Sequence, residues 1–88
     1  MAMTVYLIDE PFVDVALSFA AEDSGARIVL LQDAVYSSPK VRASGQVYVI
    51  DEDVARRGLK ARIPPAVHVI GYDGLVEMME KEKVINFL

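Results

Sequence analysis

Three aspartates stand at or just past the ends of apolar runs. Asp9 follows Val5-Tyr6-Leu7-Ile8, Asp33 follows Ile28-Val29-Leu30-Leu31-Gln32, and Asp51 follows Val47-Tyr48-Val49-Ile50. Carboxylate oxygens are what a hard cation takes as ligands, so three of them on one rim could hold Mg²⁺ or another small ligand. The commoner use of aspartate at such a place is to cap the helix that follows, worth about 1 kcal/mol per cap. On that reading Asp9 and Asp51 cap two helices and Asp33 caps a shorter one. His68 is the single histidine, and there is no cysteine. A zinc site would rest on one imidazole plus carboxylates, a poor donor set. A histidine within an otherwise apolar strand more often marks an edge strand with one wet side. Ser18, Ser24, Ser37, Ser38 and Ser44 are hydroxyls, but none stands in a nucleophile-elbow pattern. No glycine-rich phosphate loop is present. Without a thiol there is no disulfide framework, no thiolate metal site and no cysteine nucleophile. No metal and no cofactor is expected.

Gln32, Asp33 and Tyr36 form a second constellation. They come just after four consecutive apolar residues, 28–31, bounded on the other side by Gly25. So short a run reads as a strand buried on both faces, which implies a parallel sheet with helices above and below. In such sheets ligands and partners meet the chain beyond the carboxyl ends of the strands. Tyr and Gln hydrogen-bond a neighbour while an aromatic ring excludes water, so Gln32, Asp33 and Tyr36 are the candidate partner-binding residues. Six of the nine basic residues, Lys40, Arg42, Arg56, Arg57, Lys60 and Arg62, lie between positions 40 and 62. They read as dipole matching on a solvated face, or as a patch that docks an acidic protein neighbour.

The elements that must position these groups alternate. Strands are expected at Thr4–Ile8, 28–31, 46–50, 67–70 and 84–88, from β-branched and aromatic runs. After Asp9, Pro11 suits a first helical turn, and Phe12, Val15, Ala16, Phe19 and Ala20 mark the apolar face of a helix ending near Glu22. A short helix over 33–38 is expected to stop before Pro39. Asp51 is the expected N-cap of the next helix, with Gly58 at its C′ position. Pro64 and Pro65 make 59–65 irregular. Leu75, Met78 and Met79 share a face of the last helix, with the methionines as core or interface filler. Strand and helix in strict alternation mean an α/β fold with a mostly parallel sheet and right-handed crossovers.

The 88 residues make one domain, of a size that buries only about 60–65% of its unfolded surface. Yet 53% of the residues are hydrophobic and mean hydropathy is +0.30. That surplus points to apolar surface shared with another subunit. A net charge of −4 and a pI near 4.8 argue against direct grip on nucleic acid. No apolar run approaches the roughly 20 residues of a membrane helix, so no membrane contact is expected. The segment Met1-Ala2-Met3-Thr4 lacks the basic stretch of a secretion signal, so the expected compartment is the cytoplasm.

The segment Leu30-Leu31-Gln32-Asp33-Ala34-Val35-Tyr36 resembles the DsrH/TusB family, and is the most specific part of the likeness. Tyr6-Leu7-Ile8-Asp9 with Pro11-Phe12, Val47-Tyr48-Val49-Ile50 with Asp53 and Arg57-Gly58-Leu59, and Ile70-Gly71-Tyr72-Asp73-Gly74-Leu75-Val76 extend it over nearly the whole chain. The resemblance implies a DsrE/F/H-like fold, three layers α/β/α with a five-stranded mostly parallel sheet and the fourth strand at an edge. It implies a cytoplasmic sulfur relay complex with TusC/DsrF-like and TusD/DsrE-like subunits, or self-association. Such a complex passes persulfide sulfur toward 2-thiolation of the tRNA wobble uridine, and related ones serve sulfur oxidation. Some DsrH-type members carry a cysteine in the first helix, where approximate alignment puts Ser18. A hydroxyl cannot carry a persulfide. The expected role is therefore noncatalytic, a subunit that shapes a partner's cysteine site.

Overall fold

β-branched runs supply all five strands of the computed structural model, which describes residues 4–23, 25–40 and 46–88. Ser24, Arg42 and Ser44 lie outside the described residues, as does the side chain of Lys40. The strands are β1 (Thr4–Ile8), β2 (Ala26–Leu30), β3 (Gln46–Ile50), β4 (His68–Ile70) and β5 (Lys83–Phe87). They form one sheet in the order β4-β3-β2-β1-β5, every pair parallel. Ile8 pairs with both Leu30 and Phe87, so the carboxyl ends of neighbouring strands align. The central strands β1 and β2 are almost wholly buried, as a sheet covered on both faces requires. β4 lies at an edge and exposes His68, which agrees with the reading of that histidine.

Alternate side chains build two cores. Tyr6, Ile8, Ile28, Leu30, Val47 and Val49 face one side, where they pack with Val13, Ala16 and Ala20 of α1 (Val13–Ala20). Ala34 and Val35 of a 3₁₀ segment (Gln32–Lys40) and Val54 of α2 (Asp51–Arg56) join them there. Val5, Leu7, Val29 and Ile50 face the other side, against Leu75 and Met78 of α3 (Tyr72–Lys81). The architecture is a three-layer α/β/α sandwich, with α3 the helix of the second face.

Several local expectations need correction. The helix after Asp9 begins at Val13, with Phe12 at the N-cap and Pro11 just outside it. Asp9 does not cap it; its carboxylate accepts the Glu10 N–H at 2.7 Å. Asp51 is no cap either. Strand β3 runs into α2 without a loop, so Ile50 occupies the N-cap in an extended conformation and Asp51 becomes the first helical residue. There its exposed charge favours the positive helix end without bonding an N–H. The short helix is a 3₁₀ segment that reaches Lys40 with Pro39 inside it. Its first turn closes with the Ala34 N–H on the Leu31 carbonyl at 2.9 Å, a three-residue step. A 3₁₀ turn also forms at Lys60–Arg62.

The buried face of α1 is Val13, Ala16 and Ala20 with half-buried Leu17, whereas Phe12, Val15 and Phe19 are exposed. Alanine brings the helix backbone close to the sheet where phenylalanine would hold it away. In α3, Leu75 and Met78 are buried as expected, but Met79 is exposed. Gly58 has φ +64°, the left-handed conformation expected just after a helix.

Candidate functional site

The helix phase of α2 builds the site. Val54 enters the core, and the residue before it, Asp53, turns toward the carboxyl end of β2. Asp53 is only 3% exposed. Its Oδ2 accepts the backbone N–H of Gln32 at 2.9 Å. Gln32 sits in the left-handed region, φ +49°, a conformation that costs a non-glycine residue about 1–2 kcal/mol. The Asp53 bond offsets part of that cost and sets the direction in which the chain leaves β2. One helical turn on, Arg57 donates Nη1 to the Asp53 carbonyl at 3.1 Å and stands 3.8 Å from its carboxylate. Its Nε and Nη2 reach Asp33 Oδ1 at 3.0 and 2.9 Å. Arg57 thereby ties α2 to the 3₁₀ segment.

Tyr72 opens α3 on the other side of this cluster. Burial pushes its phenol pKa above the usual 10, and the negative charges of Asp53 and Glu52 add to the shift while Arg56 opposes it. The nearby Asp53 carboxylate, as an acceptor for the phenol proton, acts in the same direction. An open groove of about 490 Å³ runs between these groups, lined by Gln32, Asp33, Tyr36, Asp53, Arg56, Arg57 and Tyr72. Gln32, Asp33 and Tyr36 are thus brought together, and all three are exposed; Tyr36 is 54% accessible. The groove carries both signs of charge, a main-chain corner and two phenols. Asp33 is paired with Arg57 and Asp53 is enclosed, so neither carboxylate stands ready as a general base. Such a lining suits recognition of polar groups on a neighbour.

The acidic rim is not assembled. Among the described residues no group of three or more His, Asp or Glu side chains could hold a metal ion. Asp9 is engaged by Glu10, Asp33 by Arg57, and Asp51 lies exposed at the start of α2. His68 packs its ring on Tyr48, centroids 5.1 Å apart, on the half-wet face of the sheet edge. Ser18 donates its hydroxyl to the Val15 carbonyl within α1 at 2.7 Å. Ser37 reaches Glu10 Oε1 at 3.4 Å, and Ser38 is buried. The basic cluster divides. Arg56 pairs with Glu52 and Arg57 with Asp33, which leaves Lys60 and Arg62 as exposed cations without an ion pair among the described residues.

Asp53, Arg57 and Tyr72 are not among the candidate partner-binding residues of the sequence, although Arg57 stands in its basic cluster. The Asp53/Arg57 spacing of four, which puts both on one helix face, is the signal that could have found the first two. Tyr72 gave no such signal, because its place at the groove depends on how α3 packs.

The sequence matches the family described as DsrH like protein over residues 10–85. No curated protein matches the chain. Among solved structures, the crystal structure of the ychN protein from E. coli is similar, with a TM-score of 0.74 at 17% identity. That match covers 99% of this chain and 100% of the other, and at such identity it is a likeness of fold. With the family pattern spanning all but the ends, and a five-stranded parallel sheet between helices, the chain belongs to the DsrH-like family of sulfur-relay proteins.

Proposed function

We propose that this chain is a noncatalytic subunit of a cytoplasmic sulfur relay assembly, resembling TusB, that supports persulfide transfer toward 2-thiolation of the tRNA wobble uridine. The observation that carries the reading is the absence of cysteine from a member of a sulfur-relay family. Persulfide transfer needs a thiolate at each carrier, and no side chain here provides one. The sulfur therefore travels on partners, TusC/DsrF-like and TusD/DsrE-like chains or another cysteine-bearing member of the family, and this subunit acts by contact.

Two surfaces support association. Gln32, Asp33 and Tyr36 stand exposed at the sheet's carboxyl rim, with Gln32 held by a buried carboxylate. Phe12, Val15 and Phe19 leave an apolar strip on the outer face of α1. Tyr36 is the expected anchor, since a half-exposed tyrosine on a pinned backbone is a common hot spot. Tyr36→Ala is expected to weaken assembly tenfold or more, at about 1.4 kcal/mol per factor of ten. Gel filtration of the chain alone and co-expressed with TusC- and TusD-like chains measures this. An elution volume unchanged by the substitution, in complexes that do form, would refute the assignment of Tyr36. A thiosulfate–cyanide sulfurtransferase assay on the pure chain should read zero; turnover there would sink the noncatalytic role.

A further inference from the structure

The two edges of the sheet are not alike. β4 has three residues, with Pro64 and Pro65 shortly before it, and shortness and proline both blunt an edge. β5 has five residues and no proline, and its one charge is Lys83 at the start. The Phe87 carbonyl accepts the Asp9 N–H at 3.0 Å, so the main chain of Phe87 is turned toward β1. That direction alternates along a strand. Ile85 and Lys83 therefore also face β1, while the N–H and C=O of Val84 and Asn86 face outward, with no strand beside them among the described residues. Apolar side chains flank this edge on both faces. On one face Phe19 stacks on Phe87, which places the α1 strip of Phe12, Val15 and Phe19 on the β5 side. On the other, Arg27 of β2 lies beside Gly74, Glu77 and Lys81 of α3. Val76 and Met79 are on the opposite flank of that helix and so look toward β5. With Leu88 just beyond the strand, six of the nine large apolar side chains exposed among the described residues surround β5. Together they expose on the order of 500 Å², as much as the largest patch of an ordinary monomer, which is often functional.

We infer that β5 pairs antiparallel with β5 of a second copy of this chain, across a two-fold axis at Asn86, so that two sheets become one. Asn86 then opposes Asn86 of the second copy and exchanges both main-chain bonds with it. Val84 opposes Leu88 and Ile85 opposes Phe87, so apolar side chains meet apolar ones. A two-fold contact must be complementary to itself. The same axis lays α1 beside α1 and α3 beside α3, which brings each apolar strip against its own copy. An extended peptide from another protein would take the bonds of the strand and leave both helix strips wet; a second copy covers all three. The two copies together cover about 1,000 Å², the least that a specific interface needs. This pairing deepens the association proposed above by naming what covers the α1 strip, and it uses neither Tyr36 nor a thiol-bearing partner.

Sedimentation equilibrium of the chain alone should give an even multiple of the 9.7 kDa of one copy. Asn86→Pro deletes an outward N–H that the single chain does not use, and an edge strand accepts proline for that reason. It should weaken self-association at least tenfold. Phe19→Glu and Val76→Glu, at exposed sites on the two helices, should do the same, and they decide should Asn86→Pro not fold. Because the chain has no cysteine, Asn86→Cys gives a single thiol that faces its own copy at a Cα separation of about 5.5 Å, within disulfide range. A mild oxidant should cross-link it into a dimer, with or without Tyr36→Ala, whereas Lys60→Cys, exposed elsewhere, should stay mostly monomeric on a denaturing gel. A monomer at millimolar concentration, an odd number of copies, or equal cross-linking of the two cysteine variants would overturn the inference. So would self-association unchanged in Asn86→Pro, Phe19→Glu and Val76→Glu. A monomer that still joins cysteine-bearing partner chains overturns this pairing alone and leaves the companion role standing.

Discussion

Removing the Asp53 carboxylate tests the internal logic of the rim. Asp53 is nearly inaccessible and accepts the Gln32 N–H at 2.9 Å, where Gln32 has φ +49°. Hydrogen bonds to an ionised group contribute about 1.5–3 kcal/mol, and Asp53→Ala deletes the acceptor while the left-handed backbone keeps its cost. The expected destabilisation is about 2–3 kcal/mol, with the pair to Arg57 at 3.8 Å adding little. A domain of this length has a total stability on the order of 4–13 kcal/mol, so the loss is large. In urea, with a slope of about 1 kcal/mol/M, the midpoint falls by about 2–3 M. Asp53→Asn keeps an oxygen for the Gln32 amide and should lose about 1 kcal/mol. Gln32→Gly, which removes the conformational penalty and leaves the hydrogen bond, should gain about 0.5–1 kcal/mol. Amide exchange gives an independent reading: the Gln32 N–H should exchange faster in Asp53→Ala than in Asp53→Asn. An Asp53→Ala midpoint close to wild type at unchanged slope, with Gln32 still protected, would refute the claim that this carboxylate holds the corner.

Other expectations follow from single contacts. Gly58 has φ +64° and no heavy atom within 4 Å of an added Cβ, so Gly58→Ala should cost only the backbone penalty, about 1 kcal/mol, seen as a lower thermal midpoint. Tyr6 donates its hydroxyl to Asp23 at 3.1 Å, and burial, then that bond and charge, raise its pKa above 10. Its contribution is therefore fully present below the ordinary tyrosine value and is lost as pH climbs through the raised folded value. Tyr6→Phe should lower stability at neutral pH by about 1 kcal/mol and make the alkaline limb of the stability profile shallower, checked by urea midpoints across that limb. Ala16 is fully buried against the sheet, so Ala16→Leu should overpack and cost about 1–3 kcal/mol in the same assay.

The strand positions and their parallel order were legible because a two-faced buried strand has a plain signature, an unbroken β-branched run closed by polar residues. From that order alone, the place of Gln32, Asp33 and Tyr36 beyond β2 followed. The phase of α1 was not legible in the same way. Val13, Ala16, Leu17 and Ala20 form one apolar stripe, and Phe12, Val15 and Phe19 form a neighbouring one. Periodicity cannot choose between adjacent stripes of similar hydropathy; the distance between helix and sheet can. Alanine at 16 and 20 allows the close approach, so the large side chains turn outward, with Phe19 stacked on Phe87 at a centroid distance of 5.8 Å. Tyr72 was illegible for a related reason, since its place depends on how α3 docks; Asp53 was legible only through its spacing of four from Arg57, because acidic residues in a first turn look alike until one of them is enclosed. The same packing bears on function. A helix that gives its own sheet alanines and offers phenylalanines to the outside has ordered its side chains for two surfaces at once. In a chain that lacks any thiol, an outward apolar strip on α1 and an exposed polar corner after β2 are two surfaces on which the proposed companion role can be tested.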